Sequence, residues 1–127
     1  MADGTNMELM GMEQLIGEVE KLGQAGRQIE DKALKEAGEV VRAAIEQKVP
    51  RGKTGTLKDS IKASNVKTAD EIKYVDVSPG KKAYYSKFVE FGTVKMKAKP
   101  FMAPGYETSK DEALATIERE LKKGLGL

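Results

Sequence analysis

The residues with the clearest chemical potential are three lysines that alternate with Met96 and Ala98 between positions 95 and 99. In an extended chain, this alternation places Lys95, Lys97 and Lys99 on one side and the two apolar residues on the other. Lysines in such a pattern protect an edge strand from aggregation, or they belong to a loop that binds a partner. Composition does not distinguish these two interpretations.

Aromatic residues border the lysine segment. All three phenylalanines of the protein lie between positions 84 and 104, together with the tyrosine pair at 84 and 85. Gly92 allows a sharp bend before the lysines, and Pro100 favours an extended backbone at Lys99. The pattern therefore predicts an exposed basic arm with an aromatic anchor at each end.

The residue types give little support to catalysis or metal binding. The chain contains no histidine and no cysteine, which removes the usual zinc ligands and the common nucleophile–base pairs. Asp59 with Ser60, or Glu90 with Tyr85, could be imagined as acid–base pairs, but no third residue orients either pair. We therefore expect no enzyme, no cofactor and no metal.

A Gly-Lys-Thr sequence at residues 52–54 invites comparison with a phosphate-binding loop. That motif requires a preceding strand and a glycine five residues before its Gly-Lys pair, whereas Gln47 stands there within a predicted helix. The nucleotide-binding interpretation fails on both counts. We expect instead a turn, followed by a short helical turn that Thr56 caps and that Leu57 and Ile61 pin to the core.

Length and charge indicate one domain spanning residues 1–127. The 22 basic and 20 acidic residues leave a net charge of +2, so the molecule as a whole is not a basic nucleic-acid binder. No apolar run approaches the roughly 20 residues that span a bilayer, and the first residues lack the pattern of a secretory signal. We expect no membrane contact and a cytoplasmic location in the cell that makes the protein.

Two helices are predicted in the first part of the chain. Apolar residues at helical spacing indicate a helix over residues 7–22 and a longer amphipathic helix over residues 28–48. Gly23 and Gly26 bracket the break between them, and residues 1–6 are expected to be disordered.

The second part predicts a hairpin and a last helix. Residues 61–67 and 71–78 have the pattern of two antiparallel strands, with a bulge or two-sided burial in the second. We favour a turn of helix that leads into the extended basic arm, although residues 88–93 also fit a strand. A final helix begins between positions 103 and 110, where Ser109 has capping-box spacing and Pro104 could equally mark an earlier start. Its buried stripe is expected to contain Leu114, Ile117 and Leu121. Helices around a small antiparallel sheet make an α+β domain.

Three motifs stand in a recognisable order: TGTLKDSI at residues 54–61, YYSKFVEFGT at 84–93 and KPFMAPGYE at 99–107. Together they resemble the small head–tail joining or tail-completion proteins of long-tailed bacteriophages and prophages, over about residues 28–121. In that family the first motif follows a long helix, and the second precedes a stretch of the pattern Pro-Phe-Met/Leu-x-Pro. The resemblance implies a small α+β domain, in agreement with the periodicity.

The resemblance also implies structural work at the neck of a phage particle. Such proteins form a ring of identical subunits between the capsid portal complex and the tail tube. The implied partners are copies of the chain itself, connector or portal-side proteins and tail-tube-side proteins, in a virion assembled in the bacterial host cytoplasm. The residues that match the family pattern have no known catalytic role there: Tyr85, Val89, Glu90, Phe91, Gly92, Thr93, Pro100 and Phe101.

The roles of the matching residues can be weighed individually. We expect Phe91 and Phe101 to pack in the core, while Glu90 either makes a salt bridge or caps a backbone turn, within or between subunits. The resemblance does not assign the lysines, which could contact DNA in the lumen nonspecifically or add a strand to the next subunit. We favour the subunit contact, because Met96 and Ala98 give the arm an apolar side. The expected interface comprises Glu90, Gly92, Thr93, Lys95, Met96, Lys97, Lys99 and Phe101.

A second hypothesis is a small DNA-binding module that uses the basic segment 81–99. Six lysines there face a single acid, Glu90. Against this hypothesis stand the nearly balanced total charge and the lack of a recognition helix or an aromatic stacking motif.

Overall fold

The computed structural model describes residues 4–50, 56–80, 86–95 and 97–127. Five helices and four short strands occur in these ranges, which confirms the predicted α+β class. The helices are α1 Gly4–Glu20, α2 Gln24–Lys48, α3 Thr56–Ser60, α4 Ser86–Phe91 and α5 Met102–Gly124. The strands are β1 Lys62–Ala63, β2 Lys67–Ala69, β3 Ile72–Tyr74 and β4 Val77–Ser78.

Helices α2 and α5 form the central pair of the fold, and they run antiparallel. Gly105 at the start of α5 lies against Ile45 near the end of α2, while Gly124 at the other end lies against Ile29. A Cβ atom on Gly105 would come within 2.5 Å of the Ile45 Cα. The two backbones therefore approach so closely that only glycine fits between them.

Helix α1 folds back onto this pair after a glycine turn. Gly23 has a φ of 61° and a ψ of −123°, a positive-φ conformation that favours glycine but is not the left-handed helical cap expected at the break. Gly26, by contrast, lies inside α2, where an added Cβ would stand 1.9 Å from the Val19 carbonyl oxygen. The α1 helix also begins earlier than expected, since residues 4–6 are helical, while residues 1–3 lie outside the described ranges.

The strands form the predicted hairpin in two parts. Strand β2 pairs antiparallel with β3, and β1 pairs antiparallel with β4. Asp70 and Glu71 join β2 to β3 with φ values of 49° and 66°, as in the two-residue turns that match strand twist. Between the paired residues Ala63–Val77 and Lys67–Tyr74, the first strand segment has three residues, 64–66, and the second has two, 75–76. The bulge therefore lies in the first strand and not in the second.

Two apolar clusters hold the layers together. One contains Leu15, Val19, Ala33 and Leu121 and joins α1, α2 and α5. The other joins α2, α3 and the start of α5 through Ile45, Leu57, Ile61 and Phe101. The burial of Leu57 and Ile61 confirms their predicted core contacts, whereas the turn expected at residues 52–55 lies outside the described ranges.

The predicted buried stripe of α5 is confirmed for Leu121 and Ile117, which pack in the Leu15 cluster, and is wrong for Leu114. Helix α5 begins at Met102, and Ser109 donates a hydrogen bond from its Oγ to the Gly105 carbonyl at 2.7 Å within the helix, so it is not a cap. Small residues such as Gly105, Ser109 and Ala113 are buried there, while Leu114 is 58% exposed. Close approach to α2 leaves room only for small side chains, so the larger Leu114 lies on the outer side.

Candidate functional site

The segment between α4 and α5, residues 92–100, is called the arm below. Lys95, Lys97 and Lys99 are exposed along it, and Thr93 is exposed near its start. No strand occurs in the part of the arm that the structure describes, so the edge-strand interpretation is wrong. The arm is a connecting loop, and Met96 lies outside the described residues.

The two ends of the arm are held together by the backbone. The N–H of Lys99 donates a hydrogen bond to the Val89 carbonyl at 2.8 Å, and Val89 packs against the Ile45–Phe101 cluster. Gly92 ends α4 with a φ of 78°, which confirms the expected sharp bend because this conformation favours glycine. The arm is therefore a closed loop on a buried base.

Glu90 stabilises the second end of the arm by capping helix α5. Its residue is only 9% exposed, and its Oε1 accepts hydrogen bonds from the backbone N–H groups of Phe101 at 3.0 Å and Met102 at 2.7 Å. Oε2 accepts a longer bond from Ala103 at 3.4 Å. The first N–H groups of a helix lack internal partners and attract negative charge. Of the two expected roles, the capping role is the one observed.

The two phenylalanines at the ends of the arm have opposite environments. Phe101 is fully buried, as expected, but Phe91 is 80% exposed, so the expectation that it packs in the core is wrong. A helix turns by about 200° over two residues, and Val89 already faces the core, so Phe91 at the end of α4 points away from it. Val94, in the arm itself, is fully exposed.

The structure divides the expected interface residues into two groups. Glu90 and Phe101 are buried and support the loop, and Gly92 shapes the bend. Thr93 and the three lysines are exposed and can contact a partner. Phe91 and Val94 are exposed apolar residues that the sequence patterns did not predict. The position of Phe91, two residues beyond Val89 in a predicted helical turn, was the available signal.

Ser60, one of the residues considered for catalysis, has a structural role. The Ser60 hydroxyl donates a hydrogen bond to the Leu57 carbonyl at 2.7 Å, while Tyr85 lies outside the described residues. Among the described residues, no group of three or more Asp or Glu side chains could hold a metal ion. None of the described helices is long and apolar enough to cross a bilayer.

Comparison with known proteins identifies one family. The family model described as "Bacteriophage HK97-gp10, putative tail-component" matches residues 13–92. The matched range extends from α1 to the first residue of the arm. No curated protein and no solved structure matches the chain significantly.

Proposed function

Because the chain belongs to the HK97-gp10-like family of bacteriophage tail components, we propose that it is a structural subunit of the phage neck. There it joins the capsid connector to the tail or completes the tail. In this proposal, copies of the chain assemble into a ring in the bacterial host cytoplasm and remain in the virion. The ring contacts connector or portal-side proteins on one side and tail-tube-side proteins on the other.

The observation that carries this proposal is the exposed arm on a rigid base. Phe91 and Val94 are apolar side chains that water surrounds in the single chain, and such side chains gain free energy when a partner covers them. The arm is anchored by the Glu90 cap and by the bond from Lys99 to Val89. Loop ends that are fixed before binding reduce the conformational entropy lost on binding, which suits a contact surface in an assembly.

The test is complementation of a phage that lacks this gene. A variant with Lys95, Lys97 and Lys99 changed to Glu should fold normally, because all three side chains are exposed. When this variant replaces the unmodified protein, we expect electron microscopy of the lysate to show filled heads and separate tails. The matched control changes Lys58, Lys62 and Lys123 to Glu, since these lysines are also exposed and the charge change is the same. Whole particles with the arm variant would remove the arm from the proposal.

Contact with DNA in the lumen of the ring is a separate possibility for the same three lysines. Contacts between lysines and phosphates are independent of sequence and weaken steeply with added salt. A gel-shift titration with duplex DNA near physiological salt distinguishes the roles. Tight and saturable binding that the triple Glu variant loses would favour the DNA-binding module, whereas assembly defects without DNA binding would favour the subunit contact.

A further inference from the structure

An open apolar groove lies between α2, α5 and the hairpin. Its volume is about 470 Å³, within the range of roughly 300–1,000 Å³ that is typical of ligand pockets. Every lining residue is apolar except for the hydroxyl of Tyr106, and Tyr106 is itself 52% exposed. The lining includes Leu34, Val41, Val75, Val77, Met102 and Ala103.

The chemistry of this lining favours protein side chains over a small polar ligand. Small-molecule sites combine apolar walls with several polar groups that fix the orientation of the ligand, and this groove offers a single side-chain hydroxyl. Phe91 and Val94 are strongly exposed and do not line the groove of their own chain. Among the described residues, none fills the apolar groove, and Phe91 and Val94 are unburied apolar side chains.

Charge at one end of the groove matches the charge of the arm. Lys73, two residues before the groove-lining Val75, pairs with Asp31 at 2.8 Å and with Glu30 at 3.4 Å. Two carboxylates thus share one ammonium, and the hydrogen bond to Asp31 raises the pKa of Lys73. This cluster of three side chains carries one net negative charge, while Lys35, next to Leu34, donates a hydrogen bond to the Ser64 carbonyl at 2.8 Å. The arm contributes three lysines, none of which forms an ion pair within the described part of the chain.

We propose that the arm of one copy docks in the groove of a neighbouring copy. Phe91, at the end of α4 beside the arm, and Val94 in the arm enter the apolar groove of the neighbour. The arm lysines approach the carboxylates of Glu30 and Asp31. Because the arm and the groove are different surfaces of the same chain, the contact is heterologous, and such contacts close into rings when the rotation permits. This inference rests on the proposed ring assembly and names the surface that receives the arm.

Site-directed cross-linking tests the contact, because the chain has no cysteine of its own. Two single-cysteine variants, Val94→Cys in the arm and Ala103→Cys at the groove, are given tags of different mass, mixed and oxidised. Both positions are exposed, so folding should be unaffected. Mixing separate variants ensures that a disulfide between the two tagged chains can form only between copies. The control pairs Val94→Cys with Thr68→Cys, an exposed position on the hairpin outside the groove.

We expect the 94–103 heterodimer to exceed the 94–68 control by at least about tenfold, because docking raises the effective concentration of the paired thiols. Equal yields for the two pairs would overturn the inference. Oligomers in light scattering without the 94–103 cross-link would refute the groove contact and leave ring assembly standing. A protein that stays monomeric at every concentration, with no specific cross-link, would refute both.

Chemical labelling of the thiol in the Ala103→Cys variant shows whether a neighbouring copy covers the groove. If the Ala103→Cys thiol reacts with a maleimide as fast in the oligomer as in the monomer, the groove remains open between copies. That result would overturn the inference. Protection of the same thiol in the oligomer, together with protection of the Val94→Cys thiol, is the outcome that the inference requires.

Discussion

Removing the Glu90 carboxylate should destabilise the whole domain, although Glu90 lies beside an exposed loop. Its Oε1 accepts two well-formed hydrogen bonds, from Phe101 and Met102. Hydrogen bonds to a charged group contribute about 1.5–3 kcal/mol each, and water can partly replace the carboxylate at the half-buried Met102. The bond from Ala103, at 3.4 Å, adds little. We therefore expect Glu90→Ala to lower the free energy of unfolding by about 2–4 kcal/mol.

The variant Glu90→Gln separates the loss of charge from the loss of the acceptor. A glutamine keeps one carbonyl oxygen for the N–H groups of Phe101 and Met102, but its bonds are neutral and contribute about 0.5–1.5 kcal/mol each. Its amide group also replaces the oxygen that faces Ala103. We expect a loss of about 1–2 kcal/mol, about half of that for alanine.

Urea unfolding followed by far-UV circular dichroism measures these differences, provided that the slope with denaturant is unchanged. The matched control is Glu107→Ala, which removes a carboxylate near the same end of α5. The Glu107 side chain is 62% exposed and pairs with Lys110 at 3.1 Å, and such surface pairs contribute less than about 1 kcal/mol. A Glu90→Ala variant within about 0.5 kcal/mol of the unmodified protein would refute the capping argument.

Three further predictions separate buried from exposed positions. Phe101→Ala should cost about 3–5 kcal/mol in urea unfolding because its ring is fully buried, whereas Phe91→Ala should cost less than about 0.5 kcal/mol and weaken self-association in sedimentation. Gly105→Ala should cost at least about 2 kcal/mol because its Cβ meets the α2 backbone, while Gly17→Ala, with nothing within 4 Å, should stabilise α1 by up to about 1 kcal/mol in the same assay. Lys73→Met should cost less than about 1 kcal/mol in neutral urea titrations. The full difference between the variant and the unmodified protein should be measured at pH values below 10.5, the ordinary pKa of lysine. The difference should shrink as the pH rises through the raised pKa of Lys73, because only the charged ammonium pairs with Asp31.

Local sequence patterns were sufficient for the elements of the fold. Apolar periodicity identified α1 and α2, and the two strand patterns identified the hairpin. Leu57 and Ile61 were correctly expected to pin α3 to the core. These predictions succeed because each depends on a repeat within one element, and the side of a helix or strand that carries apolar residues is the side that becomes buried.

The sequence by itself thus determined the α+β class, the order of the helices and strands, and the existence of a basic arm with a bend at Gly92. The tertiary structure decided which apolar residues are buried: Leu114 is exposed because small residues occupy the close contact of α5 with α2 around Gly105, and Phe91 is exposed because Val89 is the residue of α4 that faces the core. It also decided the role of Glu90, whose partners lie more than ten residues further along the chain. A carboxylate meets whichever donors the fold brings to it, and no local repeat in the sequence records that meeting.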